Sequence, residues 1–290
     1  MGEAGSGHSG GGRSAPEAPG RMEGTVAAPP DIASAMAALA ARRPDLVLDL
    51  RWEASLPSTM DAVAAAAERG APHGLIVGAE TQTAGRGRRG RVWISPPGAG
   101  LYFSFLARPM RDVSVLTLAA GLAVREGVAR ATGLAADLKW PNDLMVGPRK
   151  LAGLLAEGGH VGTPDVAVTI GIGINVRPAA LPPAVADHAT CLEVAVGRAV
   201  DRGHLLASVV ERLDDTLACL SAGGADGILQ AWREASPSAE GTCVEWTEGG
   251  AVRSGVTAGI DRSGALLVRT PTGLERIIAG ELRWHLPPDP

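Results

Sequence analysis

Residues 85–93 combine the side chains and the backbone freedom that an anionic ligand requires. Positions 85–91 hold four arginines and three glycines, and Trp93 follows two residues later. Guanidinium groups are permanently charged forks that match carboxylates and phosphates. Glycine lets the backbone approach a ligand closely and adopt positive φ. This segment, called the arginine loop below, therefore predicts a site for an anionic small molecule or for RNA.

Lysine is almost absent from the chain, although basic residues are common. Of the 27 basic residues, only Lys139 and Lys150 are lysines. An ammonium is a compact, mobile point charge, which a planar guanidinium cannot replace. We therefore interpret one or both lysines as chemically required, with a codon bias toward arginine as the alternative.

Composition restricts the class of protein. The 290 residues are 46% hydrophobic, which allows a substantial core, and the net charge of −4 does not suit a dedicated nucleic-acid binder. No apolar run is long enough to span a membrane or to form a signal peptide, and the three cysteines are an odd number without a CxxC pair. These features predict a cytoplasmic protein with reduced thiols that binds neither membranes nor nucleic acid.

The pattern along the chain predicts three regions. Residues 1–43 form a low-complexity, disordered N-terminal segment, in which 31–43 could make a short helix. Residues 44–237 alternate strand and helix patterns and form one α+β domain, and 238–290 contain short β-rich runs between glycine and serine turns, which predict a small barrel. The predicted strands of the larger domain are 46–52, 75–80, 101–107, 137–140, 143–146, 150–157 and 166–176; its predicted helices are 58–70, 115–132, 205–220 and 227–235.

Four segments carry the chemistry, and other common nucleotide or metal motifs are missing. There is no Gly-Lys dipeptide for a Walker loop, and no His/Cys/carboxylate cluster has metal-site spacing. The four segments are ETQTAGRGRRGRVW at 80–93, KWPND at 139–143, KLAGLLAE at 150–157 and GIGIN at 171–175. In this order and spacing they closely resemble the biotin protein ligases, also called biotin–[acetyl-CoA-carboxylase] ligases, from about Ser58 to Trp284.

The resemblance implies a fold and a reaction. The fold is a mixed sheet with helices, as in class II synthetases and the biotin–lipoate ligases, followed by an SH3-like C-terminal barrel. The reaction uses ATP and Mg²⁺: biotin is activated as biotinyl-5′-AMP, and a lysine of a biotin carboxyl carrier domain of acyl-CoA carboxylases then accepts the biotinyl group. The resemblance also suggests the type without a DNA-binding domain, acting as a monomer or homodimer.

The resemblance assigns roles residue by residue. It predicts Lys150, Arg86 and Arg88 as catalytic, with Arg86 and Arg88 on the biotin carboxylate and the phosphates and Lys150 on the carboxylate and the α-phosphate. For Ser58 a helix cap is the alternative, and the two roles are compatible. Gly153, Gly171 and Gly173 fall where a side chain would block the biotin ring, with a bulge or a bend as the alternative. The predicted biotin-binding residues are Ser58, Thr59, Met60, Gln82, Gly85, Arg86, Gly87, Arg88, Lys150, Gly153, Gly171 and Gly173.

The nucleotide and metal roles follow from the same resemblance. The predicted nucleotide-binding residues are Arg88, Arg91, Asn142, Lys150 and Asn175. Asp143 is the predicted Mg²⁺ ligand acting together with the phosphates, and a turn residue after Pro141 is the alternative. Trp93 and Trp140 are interpreted as packing residues. Residues 177–190 do not match the family closely and contain no Phe, Tyr or Trp to stack on adenine.

Two alternatives stay open at this point. A lipoate or octanoate ligase would share the fold, although the arginine loop and Gln82 favour biotin. An RNA-binding protein would use the arginine loop differently, but several RG repeats, interleaved aromatic residues and a basic domain would then be expected.

Overall fold

The computed structural model describes residues 25–108, 112–159, 166–278 and 282–285. Most of the residues predicted to be disordered at the N-terminus lie outside this part of the chain. No helix in the described residues is long and apolar enough to cross a lipid bilayer.

An eight-stranded mixed sheet forms the larger layer. Its strand order is β1-β2-β3-β4-β8-β7-β6-β5, with β2 and β3 parallel and every other neighbouring pair antiparallel. The strands are β1 Thr25–Val26, β2 Asp49–Leu56, β3 Leu75–Gln82, β4 Gly100–Ala107, β5 Asp137–Lys139, β6 Asp143–Val146, β7 Arg149–Gly159 and β8 Ala167–Asn175. The predicted mixed sheet is thereby confirmed.

Helices cover both faces of the sheet, as the alternation of side chains along the strands requires. On β3, Leu75 and Val77 pack with Val63 of α2, whereas Ile76 belongs to the larger core on the opposite face. That larger core contains α1, α3 and α5. The helices are α1 Pro30–Arg42, α2 Thr59–Glu68, α3 Leu116–Thr132, α4 Leu192–Val196, α5 Arg202–Ser221 and α6 Ala225–Glu234.

The N-terminal helix differs from the expected disordered segment. Ile32, Met36 and Leu39 of α1 are buried, and α1 packs along α5. These apolar side chains recur at helical spacing, so they present one face that burial stabilises. The short helix predicted for 31–43 is therefore confirmed over Pro30–Arg42, whereas the description of all of 1–43 as disordered was wrong for these residues, which are part of the larger fold.

The C-terminal part is a five-stranded antiparallel SH3-like sheet with the order β12-β11-β10-β9-β13. Its strands are β9 Glu240–Glu248, β10 Ala251–Ile260, β11 Leu266–Thr270, β12 Gly273–Ile277 and β13 Leu282–His285. The β-rich runs at 242–246, 252–260, 265–270 and 274–279 of the sequence predicted the first four strands and missed β13, which pairs with β9. Val244 and Leu266 belong to the same hydrophobic core as the larger sheet, so the two parts are packed together.

Candidate active site

A cavity of about 420 Å³ lies where the arginine loop, the ends of β3 and β8, β7 and the C-terminal sheet meet. Six cationic side chains and one carboxylate, that of Asp143, line it within the described part of the chain. The cavity brings together most of the predicted site residues: Ser58, Thr59, Met60, Gln82, Arg86, Gly87, Arg88, Arg91, Asn142, Asp143, Lys150, Gly153, Gly171, Gly173 and Asn175. Gly85 is the predicted site residue that does not line it.

Ser58 offers the cavity a hydroxyl that no protein group uses. It occupies the N-cap position of α2, but its side chain makes no capping hydrogen bond. Its Oγ is buried without a hydrogen-bond partner among the described residues. The capping alternative is therefore wrong. A buried polar group normally has a partner, so this hydroxyl is suited to a ligand.

Gln82 is held in one orientation by Thr59. The Gln82 Oε1 accepts hydrogen bonds from the Thr59 backbone nitrogen at 2.9 Å and from its Oγ1 at 3.2 Å. The hydroxyls of Thr59 and Ser104 lie 2.8 Å apart on the buried side. Because the carbonyl oxygen is engaged, the amide NH₂ of Gln82 is the group left for a ligand. Ser104, on β4, was missed because its neighbour Thr59 is distant in sequence.

The arginine loop folds back on itself as a narrow hairpin. The Trp93 nitrogen donates to the Gly85 oxygen at 2.9 Å, and the Gly87 nitrogen donates to the Arg91 oxygen at 2.7 Å. A Cβ on Gly85 would lie 2.5 Å from the Trp93 oxygen. Glycine is thus required at position 85 by the loop's own return strand. Gly85 does not line the cavity, and its contact with biotin stays a prediction.

Two arginines of the loop have protein partners. The Arg86 Nη2 lies 2.8 Å from the Asp61 Oδ1 and 3.0 Å from the Glu157 Oε2, so Arg86 joins the loop to α2 and β7. The Arg88 Nη1 donates to the Asn142 Oδ1 at 3.4 Å. Burial, with a contribution from the neighbouring Arg89 charge, lowers the pKa of the Arg88 guanidinium.

Lys150 and Asp143 form an ion pair inside the cavity. The Lys150 Nζ lies 2.6 Å from the Asp143 Oδ1 and 5.5 Å from the ring centroid of Trp93. The Asp143 Oδ1 is buried and receives no well-aligned hydrogen bond. Lys139 lies nearby, and burial lowers the pKa of its ammonium, against the opposing charge of Asp143.

Three of the predicted glycines, Gly153, Gly171 and Gly173, make room for protein side chains. A Cβ on Gly173 would lie 2.4 Å from the ring of Trp93, and one on Gly171 would lie 2.7 Å from the Met60 sulfur. A Cβ on Gly153 would meet Lys150 and Trp93. Trp93 and Met60 fill the space over Gly173 and Gly171 in this structure, and the contact of these glycines with a ligand ring stays a prediction.

Trp93 is a site residue that the sequence interpretation treated as packing. Its ring lines the cavity, and its Nε1 is buried without a hydrogen-bond partner among the described residues. Its position at the end of the arginine loop was the signal that could have indicated this role.

Two further parts of the chain close the cavity. Leu282 and Trp284 of β13 line it, and the Lys139 Nζ lies 5.5 Å from the ring centroid of Trp284. Residues 177–190 form the other wall and are joined to β7, because the Lys150 nitrogen donates to the His188 oxygen at 2.9 Å. The Asn175 Nδ2 donates to the Thr190 oxygen at 3.1 Å, so Asn175 supports this wall. The sequence did not indicate a contribution from the C-terminal sheet.

The donor set does not form a self-sufficient metal centre. No group of three or more His, Cys, Asp or Glu side chains in the described ranges could hold a metal ion. Magnesium commonly binds through one or two carboxylates together with substrate phosphates, so Asp143, whose carboxylate lines the cavity beside Lys150, fits such a shared site.

The fold and the cavity define the class of biotin and lipoate ligases. Residues 52–175 match the family described as the biotin/lipoate A/B protein ligase family. Residues 244–282 match the biotin protein ligase C-terminal domain. The second match decides between the lipoate and biotin alternatives, and the chain belongs to the biotin protein ligase family.

Individual relatives agree with this assignment. The chain is 34% identical over 232 residues to a bifunctional ligase/repressor BirA of Bacillus subtilis, covering 78% of this chain and 71% of that protein. It is 36% identical over 220 residues to a biotin–[acetyl-CoA-carboxylase] ligase of Paracoccus denitrificans, covering 70% and 88%. A biotin protein ligase from Aquifex aeolicus in complex with biotin and ATP superposes with a TM-score of 0.71 at 30% identity, covering 82% of this chain and 99% of that one.

Proposed function

We propose that the chain activates biotin with ATP and transfers the biotinyl group to a lysine of a biotin carboxyl carrier domain. The observation that carries this proposal is the division of the cavity into two chemically different ends. One end has Ser58, Gln82, Met60 and glycine backbone, and the other has a cluster of cations around Lys150. A small ring with polar edges and a carboxylate suits the first end, and a triphosphate suits the second.

The first step joins two anions, the carboxylate of biotin and the triphosphate of ATP. Cations are needed because these two reactants repel each other. A carboxylate oxygen of biotin attacks the α-phosphorus of ATP, and the bond to the bridging oxygen of pyrophosphate breaks. Lys150 and Arg88 offset the repulsion of the reactants and stabilise the charge that develops on the α-phosphate. Arg91 and Asn142 line the same cavity and are the proposed partners of the remaining phosphates.

The second step uses the mixed anhydride. The uncharged amine of the acceptor lysine attacks the acyl carbon of biotinyl-5′-AMP, an amide forms and AMP leaves. The anhydride is easily hydrolysed, so a site that excludes water preserves it. The hairpin of the arginine loop and the wall at residues 177–190 would serve this purpose.

Asp143 is the proposed partner of Mg²⁺. Together with the phosphates of ATP it would hold the ion, which neutralises phosphate charge when bound. In that state Lys150 would exchange part of its contact with Asp143 for a contact with the α-phosphate. The role of each site residue follows from its position in the cavity and from the family motif that it matches.

The test is exchange of labelled pyrophosphate into ATP, with biotin, lipoate and octanoate compared in parallel. Exchange with biotin alone supports adenylation of biotin by this chain. Exchange with lipoate instead would leave the fold and overturn the substrate. Labelling of a purified carrier domain, compared with the same domain lacking its acceptor lysine, tests the transfer step.

A further inference from the structure

A buried ion pair between Glu80 and Arg202 lies behind the cavity and outside the residues that line it. Arg202 begins α5, and its side chain is 8% exposed. Its Nη1 and Nη2 each donate a hydrogen bond of 3.0 Å, one to each carboxylate oxygen of Glu80 at the end of β3. This two-pronged geometry is strong and directionally specific.

The same carboxylate also holds a turn. The Gly98 nitrogen donates to the Glu80 Oε2 at 2.9 Å, and Gly98 has a φ of +68°, which favours glycine. The Gly98 oxygen accepts from the Arg177 Nη1 at 2.8 Å, and the Arg177 backbone nitrogen donates to the Ala99 oxygen at 2.7 Å. The turn at 96–99 is therefore fastened to Glu80 on one side and to Arg177 on the other.

Two walls of the cavity begin at this turn. The return strand of the arginine loop passes through Trp93 and Ile94, which line the cavity, and reaches Gly98. The opposite wall, residues 177–190, starts at Arg177. The Glu80 carboxylate, which is 23% exposed, thus fixes the base of both walls. By contrast, Lys150 and Asp143 stand on β7 and β6, in the other half of the sheet.

We infer that Glu80 and Arg202 are a positioning pair that sets how long the enzyme retains biotinyl-5′-AMP. This inference rests on the proposed function. Loosening the pair frees the base of both walls, so the affinity for ligands in the cavity falls and the adenylate escapes faster. The chemical step changes less than release, because Lys150 stands on β7 and Arg88 is hydrogen-bonded to Asn142 rather than to the turn at 96–99. A role in stability alone would instead lower the fraction of active enzyme without altering release.

The experiment compares Glu80→Gln with a matched control, Glu211→Gln. Glu211 is another largely buried glutamate with arginine partners, Arg42, Arg43 and Arg130, and it lies outside the cavity. For each variant, preformed labelled biotinyl-5′-AMP is chased with unlabelled ligand, adenylation is measured in a single turnover, and the melting temperature is recorded. We expect Glu80→Gln to release the adenylate about tenfold faster, equivalent to about 1.4 kcal/mol. Its single-turnover rate at saturating substrates stays close to that of the parent.

The control and a second variant make the outcome decisive. Glu211→Gln is expected to lower the melting temperature and to release the adenylate at the parental rate. Arg177→Ala changes a half-exposed side chain and removes the hydrogen bond to Gly98 and a 3.7 Å ion pair with Glu193, so a folded protein with moderately faster release is expected. This variant carries the test if Glu80→Gln does not fold.

Three results would overturn the inference. They are parental release from folded Glu80→Gln, parental release from Arg177→Ala when Glu80→Gln cannot be obtained, and equally fast release from Glu80→Gln and Glu211→Gln at similar loss of stability. Failure of the parent enzyme to form the adenylate at all would instead overturn the proposed function, so the two failures are distinguishable.

Discussion

The ammonium of Lys150 lies 2.6 Å from the carboxylate of Asp143, and the two residues come from neighbouring antiparallel strands. The register between β6 and β7 shifts between Leu144 and Met145, and Met145 pairs with Lys150. This irregularity places the lysine beside Asp143 at the cavity. The pair therefore holds the mobile lysine side chain at the cationic end before any phosphate is bound.

Replacing Lys150 by arginine should reduce adenylation although the charge is kept. A guanidinium is larger and planar, so it cannot occupy the same point beside Asp143 and Trp93. Loss of one well-placed charge-stabilising group in an active site typically costs about a hundredfold in rate. Pyrophosphate exchange at saturating biotin and ATP measures the effect.

The neighbouring position provides the control for this substitution. Arg149 is exposed on the same strand, and Arg149→Lys makes the reverse change one residue away. We expect it to retain parental exchange. Parental activity of Lys150→Arg would show that charge alone is needed at this position.

Replacing Gly173 by alanine should weaken biotin binding. The added methyl would lie 2.4 Å from the Trp93 ring, so the ring must shift within the cavity. Overpacking of this kind commonly costs about 1–3 kcal/mol. Titration calorimetry with biotin should show weaker binding. Gly159→Ala is the control, because its nearest neighbour would be the Ala167 oxygen at 4.0 Å. Equal affinity in both variants would contradict the packing described for Gly173.

Truncation should show how much α1 contributes to the stability of the fold. A chain starting at residue 44 loses Ile32, Met36 and Leu39, which are 0%, 7% and 0% exposed. Burying each such side chain contributes about 1.5–3 kcal/mol. We expect urea unfolding to show a much lower free energy than for a chain starting at residue 25. Similar stabilities would mean that α1 contributes little to the fold.

Acid should destabilise the protein partly through Glu211. Burial alone would raise the pKa of its carboxyl, but hydrogen bonds and charges from Arg42, Arg43 and Arg130 lower it below the ordinary 4.5. A lowered pKa in the folded state stabilises the fold above pH 4.5, and this stabilisation is lost as the pH falls through the folded value. Melting temperature against pH should therefore fall less steeply in acid for Glu211→Gln than for the parent.

An exposed glutamate serves as the reference for the acid experiment. Glu68→Gln removes a carboxylate at the exposed end of α2. Its melting curve against pH should keep the parental slope. The same reduction of slope in both variants would argue against a specific contribution of Glu211.

Local patterns were sufficient to predict much of the fold. The helix ending before Gly133 and the strand 101–107 follow from apolar periodicity and from a glycine in the left-handed conformation. The site residues predicted from the four sequence segments also lie together around one cavity. This is because each segment lies at the end of a strand or in the loop that follows it.

The contributions that were missed depend on contacts between distant segments. Ser104 is one polar residue in an apolar strand, and its role depends on Thr59, which is 45 residues away. Trp284 reaches the cavity only because β13 pairs with β9. The hydroxyl of Ser58 looked like a helix cap, since the local sequence does not show that it faces a cavity. Such pairings are determined by tertiary packing.

The contribution of β13 to the cavity also determines when, during synthesis of the chain, the cavity becomes complete. The arginine loop, β7 and β8 leave the ribosome well before Leu282 and Trp284, and the wall that these two residues provide is then missing. A nascent chain at that stage has an open cationic cleft and cannot shield a reactive anhydride from water. The capacity to shield the activated intermediate is therefore expected to arise late in translation, when the C-terminal sheet has folded against Lys139.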